Sequence, residues 1–301
     1  MSALTAAHAF TPIHQLAAAI RSGKIVPADL VELYLDRIQR LDPQLHAFVS
    51  VYADDARRAA RAAGEALAAG HDLGPLHGIP IGIKDLVDIH GQITTGGSAA
   101  WNNRVSPLTA TIVHKLRAAG MIVIGKTHTV EFAFGGWGTN QRMGTPWNPW
   151  DLAVQRTPGG SSSGSGVAVA AGLAPAAIGS DTGGSVRLPA AFCGVVGLKT
   201  TVGRISVHGV LPLCPTLDTI GPLTRSVEDA ALLSTPCKAP TRTIRLRFAN
   251  PSPIPCPACA KAWPACAWRQ CRSRRAPMSS RKCWPPTMPR SPPSRRWGRR
   301  S

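Results

Sequence analysis

The sequence runs out of acid before it runs out of chain. None of its 16 Asp and Glu lies after Asp229, while the 34 Lys and Arg continue to the end. Residues 1–235 carry 18 basic and 16 acidic side chains, a net +2, and residues 236–301 carry 16 basic and no acidic ones. The formal net charge of +18 is therefore a property of the last segment and not of the chain as a whole. Also missing are an apolar window long enough to cross a bilayer and a basic start followed by an apolar run, which would mark a secretory leader. The expectation is a cytoplasmic protein that does not associate with a membrane. The nine histidines are scattered, and neither HExxH nor any clustered ligand spacing occurs. His128 and Glu131 come nearest to a ligand pair without making one, so no metal or other cofactor is expected.

What the chain does have is a stretch from Pro158 to Lys199 in which serine and glycine alternate with small apolar residues. Two glycine-serine loops, Gly159 to Gly166 and Gly179 to Ser185, flank the apolar run Val167 to Ile178. Glycine lets backbone N–H groups turn toward a bound atom, and serine supplies hydroxyls that attack or relay protons. A short helix is expected over Gly164 to Ala171, then a turn at Pro175 and a brief strand over Ala176 to Ile178. Such an order lets the two loops lie side by side.

Upstream, Gly78 to Asp85 reads as a strand in which Ile79, Ile81 and Ile83 share one face and Pro80, Gly82 and Lys84 the other. Gly82 leaves space beside the lysine stem. A functional residue at the carboxyl end of a strand fits the rule that open α/β sheets bind ligands there. Two other motif matches fail on context. Gly160 to Gly164 fits the GxSxG elbow, but no hydrophobic strand precedes it. Gly120 to Thr127 fits a phosphate-loop pattern formally, but its middle is an apolar run that reads as a buried strand.

The loops GGSS and GSDTGGSVR, with Ser185 24 positions after Ser161, resemble the amidase signature family. The resemblance covers roughly Leu16 to Leu233 and is most specific over Gly78 to Asp85 and Pro158 to Lys199. It implies a single α/β/α domain with a mixed sheet, and an amidohydrolase acting through a serine acyl-enzyme. It assigns Ser185 as nucleophile, Ser161, at an unusual cis peptide, as proton relay, and Lys84 as base. The backbone of Thr182, Gly183, Gly184 and Ser185 would form the oxyanion hole. A serine needs a base to become a nucleophile, and a lysine serves as base only when burial or nearby positive charge lowers its pKa. Ser162 is a supporting candidate, while Ser162, Ser163 and Ser165 are read as caps of the following helix. Asp181 and Arg187 are expected to pair and hold the nucleophile loop, and Cys193 to sit in the core.

The remainder divides into recognisable elements. Amphipathic helices are expected over Pro27 to Leu41, ended by Asp42-Pro43, and over Asp54 to Ala69, the latter with a solvated Arg57-Arg58-Arg61 face. A helix over Thr109 to Ala119 and a strand over Met121 to Ile124 follow the loop Thr95 to Ser98. Lys126 to Asn140 reads as pocket wall. A last helix follows Ser226.

Residues 236–301 hold six of the eight cysteines, 13 of the 27 prolines and four of the eight tryptophans, with no helical or alternating period, so they cannot readily build a core. The expected organisation is a 1–235 amidase-signature domain, incomplete at its C-terminal side, and a 236–301 basic tail. That tail reads as a GC-rich gene translated out of frame after about Leu233. The contrasting reading makes it an arm whose Cys256, Cys259, Cys266 and Cys271 bind zinc or nucleic acid, but paired ligand spacing is absent. The expected partner is a small-molecule amide substrate, with nucleic acid not expected. A homodimer, or the partner subunit of a tRNA-dependent amidotransferase in which this chain is the glutaminase, are the alternatives to a free-standing enzyme.

Overall fold

The structure is a computed structural model that describes residues 4–238. Thirteen elements follow one another: α1 (Ile13–Arg21), α2 (Pro27–Leu45), β1 (Phe48–Val51), α3 (Ala53–Ala68), β2 (Pro80–Lys84), α4 (Thr111–Ala118), β3 (Ile122–Thr127), α5 (Ser163–Ala170), β4 (Ala176–Asp181), α6 (Arg187–Cys193), β5 (Val196–Gly197), β6 (Thr219–Thr224) and α7 (Val227–Cys237). The strands form one mixed sheet in the order β1-β3-β2-β4-β6-β5. β2 lies at its centre, parallel to β3 on one side and to β4 on the other, and the outer pairings are antiparallel.

Every residue of β2, β3, β4 and β6 is buried, as expected of central strands covered on both faces. Helix α5 is built from Ser, Gly, Val and Ala alone and packs across β2, β3, β4 and β6. Its small side chains let it come close: a Cβ on Gly164 would lie 2.3 Å from Ala47 O and from His128 N. Ala177 and Leu223, opposite each other on β4 and β6, pack with Val169 of α5 and with Val186 and Ala190 beside and on α6. Ile81, Ile83, Ile178 and Ile220 belong to the larger cluster with α2, α4 and α7 residues such as Leu30, Ile112, Leu116 and Leu233. Burying one such side chain is worth about 1.5–3 kcal/mol.

The last acidic residue has a structural task. Asp229, 1 % exposed, accepts the N–H groups of Ile13 (3.0 Å) and His14 (3.3 Å), which open α1. One carboxylate thus caps a helix more than two hundred residues away and ties both ends of the domain together.

Four expectations are corrected. Helix α2 runs through Pro43 to Leu45 instead of stopping at Leu41. From within the last turn the Asp42 side chain closes the end, accepting Ala47 N at 2.7 Å and Phe48 N at 3.2 Å, while His46 in the left-handed region donates to Asp42 O. Strand β4 extends to Asp181 because β6 pairs with it along its whole length, so Gly179 and Ser180 are strand and not loop. Strand β3 extends to Thr127 because both β1 and β2 pair with it there. Helix α7 runs to Cys237, which is 1 % exposed, so the boundary at 235 falls inside a packed helix. The expected tail beyond residue 238 lies outside the described residues.

Candidate active site

Three segments converge at the carboxyl ends of β2 and β4. The alternation of β2 turns Lys84 toward α5, and the space beside its stem is filled: a Cβ on Gly82 would lie 2.9 Å from Thr127 Cγ2 and 3.5 Å from Ala177 Cβ. Lys84 is 0 % exposed. Its Nζ lies 2.8 Å from Ser161 Oγ and 2.9 Å from Ser180 Oγ, and it has no ion-pair partner among the described residues. Burial draws its pKa from the usual 10.5 down to about 7, against the opposing pull of the Asp181 and Asp218 carboxylates. A lysine so placed is substantially neutral near neutral pH, with a lone pair to offer a hydroxyl.

Ser161 follows a cis peptide bond from Gly160. Its carbonyl accepts Val130 N at 3.1 Å and Thr129 Oγ1 at 3.0 Å, and Gly160 N donates to Gly136 O at 2.7 Å. The loop 128–136 therefore grips the backbone on both sides of the Ser161 side chain. Ser162 faces β4, where its hydroxyl lies 3.3 Å from both Ser180 N and Ser180 O. The Ser162 N–H donates to Ser185 O at 3.1 Å, joining the two serine loops directly.

The capping roles expected for these serines are not seen. Ser162 occupies the cap position of α5 without a side-chain cap bond. Ser165 Oγ donates to Ile178 O and lies 2.7 Å from Thr127 Oγ1, and the Ser163 hydroxyl is buried without a partner. In so close-packed a place the hydroxyls are drawn to the sheet, not to their own helix.

Ser185 precedes α6 and is 8 % exposed. Its hydroxyl has no hydrogen-bond partner among the described residues, which leaves it free to approach a ligand. Asp181 organises the loop that carries it: its carboxylate accepts Gly184 N (2.9 Å), Val186 N (3.1 Å) and Arg187 N (3.3 Å), and the Arg187 guanidinium binds it at 3.1 and 3.0 Å. Burial alone would raise the Asp181 pKa, but Arg187 and these amides hold it below the usual range. The expected Asp181–Arg187 pair is thus present. Gly184 is the exception among the expected oxyanion donors, because its N–H is committed to Asp181. The N–H groups of Thr182, Gly183 and Ser185 have no partner among the described residues.

A sequence model of the amidase family matches residues 29–245. The chain belongs to the amidase family. Among curated relatives, a glutamyl-tRNA(Gln) amidotransferase subunit from Chromohalobacter salexigens is 48% identical over 219 residues, which is 73% of this chain and 44% of that one. Among solved structures, the peptide amidase of Stenotrophomonas maltophilia is 40% identical with a TM-score of 0.72, over 76% of this chain and 48% of that one. The corresponding glutamyl-tRNA(Gln) amidotransferase subunit from Thermotoga maritima is 36% identical with a TM-score of 0.67, over 79% and 49%. This amidase-family chain spans about half the length of the relatives it matches. The matched stretch runs past Leu233, the point at which the motifs suggest that the resemblance stops.

Several groups around this site were not singled out by the sequence. Ser180 is the second partner of Lys84, and Thr182 Oγ1 donates to Asp218 Oδ1. Lys126, fully buried, pairs with Asp85 at 2.8 Å and donates to Thr94 Oγ1 at 2.7 Å. Asn140 Nδ2 holds Gly97 O and Thr129 O, which links the loop after β2 to the grip on Ser161. The one available signal was a lysine inside, and an acid just after, strands too apolar to expose them. A cavity of ≈ 140 Å³ lies beside Ser180, lined also by Thr182, Leu211, Asp218 and Ile220. The described residues contain no group of three or more His, Cys, Asp or Glu that could hold a metal ion, and no helix long and apolar enough to cross a membrane. Cys193 is buried, with Sγ 3.3 Å from Pro158 O, and burial pushes its thiol pKa up to about 12.

Proposed function

We propose that this chain carries an amide-cleaving centre in which Ser185 attacks a carboxamide carbon and forms an acyl-enzyme. Ser161 takes the Ser185 proton as it passes its own to neutral Lys84. The same relay run backwards delivers a proton to the leaving amine or ammonia. The amides of Thr182, Gly183 and Ser185 stabilise the oxyanion, and a water then releases the carboxylate product. The observation that carries this reading is a fully buried Lys84, without an ion-pair partner among the described residues, within 2.8 Å of the Ser161 hydroxyl. Such a lysine costs stability, and a proton-transfer role accounts for its placement.

Two assignments go with this reading: a small-molecule amide as substrate and the cytoplasm as location. A second reading, in which the chain releases ammonia from glutamine for a partner protein, is favoured by the relatives at 46–48% identity that are named as glutamyl-tRNA(Gln) amidotransferase subunits. Residues beyond about 245 are proposed to be translated out of frame.

Labelling of the 301-residue chain with a serine-reactive fluorophosphonate, followed by mass spectrometry of the Ser185 peptide, tests the centre. Modification of Ser185 in the wild type and not in Lys84→Ala is the expected result. An unlabelled Ser185, in this chain and in one with its reading frame restored, would overturn it. Ammonia release from glutamine that requires an added partner protein would distinguish the second reading.

A further inference from the structure

Asp218 lies in the loop before β6 and has no role in the proton relay. Its carboxylate accepts Leu213 N at 2.9 Å and Cys214 N at 3.0 Å, which folds the loop back on itself, and it accepts the Thr182 hydroxyl. Thr182 opens the loop that carries Ser185. Asp218, Thr182 and Ser180 line one cavity of ≈ 140 Å³, and the Ser180 hydroxyl is 2.9 Å from Lys84 Nζ. Asp218 therefore lines the same small cavity as the one hydroxyl that Lys84 contacts besides Ser161.

The other elements packed against Lys84 bring one further carboxylate, Asp181 at the end of β4, which also favours the charged lysine. Asp181 is itself bound twice by the Arg187 guanidinium at the start of α6, whereas Asp218 is not so paired among the described residues. On β3 the residue opposite Lys84 is Thr127, and Lys126, opposite Ile83, is paired with Asp85. Helix α5, SGSGVAVA, has no ionisable side chain. Asp218 has no cationic partner among the described residues.

We propose that Asp218 is a positioning residue of the amide-cleaving centre, clamping Thr182 at the head of the nucleophile loop and presenting an uncompensated negative charge to Lys84 from the wall of the Ser180 cavity. The charge has a use. Burial weakens the lysine as a base, and an anion that is not in contact with it supports the protonated state without trapping it in an ion pair. This assignment rests on the proposed role of Lys84 but is read out separately from it.

The test is a pH titration of the lysine side-chain signals of the full 301-residue chain labelled with 13C and 15N at lysine, the Lys84 signal being identified by its loss in Lys84→Met. In Asp218→Asn, which keeps an acceptor for Thr182 and removes the charge, the Lys84 midpoint is expected to fall by about one pH unit. In Asp218→Glu it should return toward the wild-type value, and in Thr182→Val it should stay there, because the charge remains. Should Asp218→Asn not fold, Asp218→Ser serves the same comparison. A midpoint that is unchanged or raised on loss of the Asp218 charge would overturn the proposal, since a purely structural clamp predicts no movement. Fluorophosphonate labelling of Ser185 is scored on the same samples. A midpoint that falls in a chain whose Ser185 is never labelled upholds the charge coupling of Asp218 to Lys84 and sinks the amidase reading with Asp218's place in it; a fixed midpoint in a labelled chain sinks the Asp218 proposal and leaves the amidase reading standing.

Discussion

Lys84 touches Ser161 and not Ser185: its Nζ is 2.8 Å from Ser161 Oγ, while the Ser185 hydroxyl bonds to neither group. In the proposed mechanism a proton leaving Ser185 reaches the lysine through Ser161, so removing the relay should be as damaging as removing the base.

Ser161→Ala and Lys84→Ala are each expected to lower the rate of Ser185 labelling by about 10³-fold, and the double variant by little more, because residues acting as one unit are not additive. Ser162→Ala should cost about tenfold or less, since Ser162 supports Ser180 and the Ser185 backbone without touching the relay. Second-order labelling rates measured side by side check this. Equal losses for Ser161 and Ser162 would contradict it.

The pH dependence follows from the Lys84 pKa of about 7. The reactive form is the neutral amine, so labelling should rise with pH, pass half its limit near pH 7 and level off above. Lys84→Arg, which stays protonated, should show no such rise. A wild-type profile still climbing in proportion to hydroxide at pH 9 would contradict a neutral Lys84.

Stability should carry the opposite mark of the same residue. Lys84 binds a proton at about 7 in the folded chain and at 10.5 when unfolded, so its penalty is present in full below pH 7 and fades as pH rises toward 10.5. Lys84→Met is therefore expected to be more stable than the wild type at pH 6, by a few kcal/mol, with the difference shrinking by pH 9. Urea unfolding at both pH values measures it. A variant less stable than wild type at pH 6 would show that packing of the lysine outweighs its burial cost.

Asp181→Ala should destabilise the chain by about 3 kcal/mol, because it leaves three loop amides and a guanidinium without their acceptor. Arg187→Ala should cost only about 1 kcal/mol, since the arginine side chain is half exposed and the amides still hold the carboxylate. The pairing depresses the Asp181 pKa, so its contribution is present above the ordinary carboxylate range and lost as pH falls through the folded value. Chemical denaturation of the two variants at pH 7 and of the wild type at pH 7 and 4 tests both statements.

Beyond about residue 245 the coding DNA, read in its other two frames, is expected to encode further strands and helices like those of the amidase relatives. Absence of any such continuation would remove the frame-change proposal.

The order of elements, the serine loops and the strand bearing Lys84 were legible in the sequence because they follow from local rules. β2 alternates, α5 is too small-sided to be a surface helix, and Ser226 begins α7 with its hydroxyl on Asp229 N. What local rules carry poorly is where an element stops when distant chain completes it. The end of α2 depends on Asp42 reaching past it, and the ends of β3 and β4 on strands that arrive from far along the chain. The site divides in the same way. The types and spacing of Ser161, Ser185 and Lys84 are written in the sequence, where they carry the family resemblance. The pKa of Lys84, the commitment of the Gly184 amide to Asp181, the turn of Ser162 and Ser165 away from capping, and the approach of Asp218 to Thr182 came only with the tertiary structure. Each depends on which groups are desolvated together, and burial sets both the charge state of a lysine and the choice of partner for a hydroxyl.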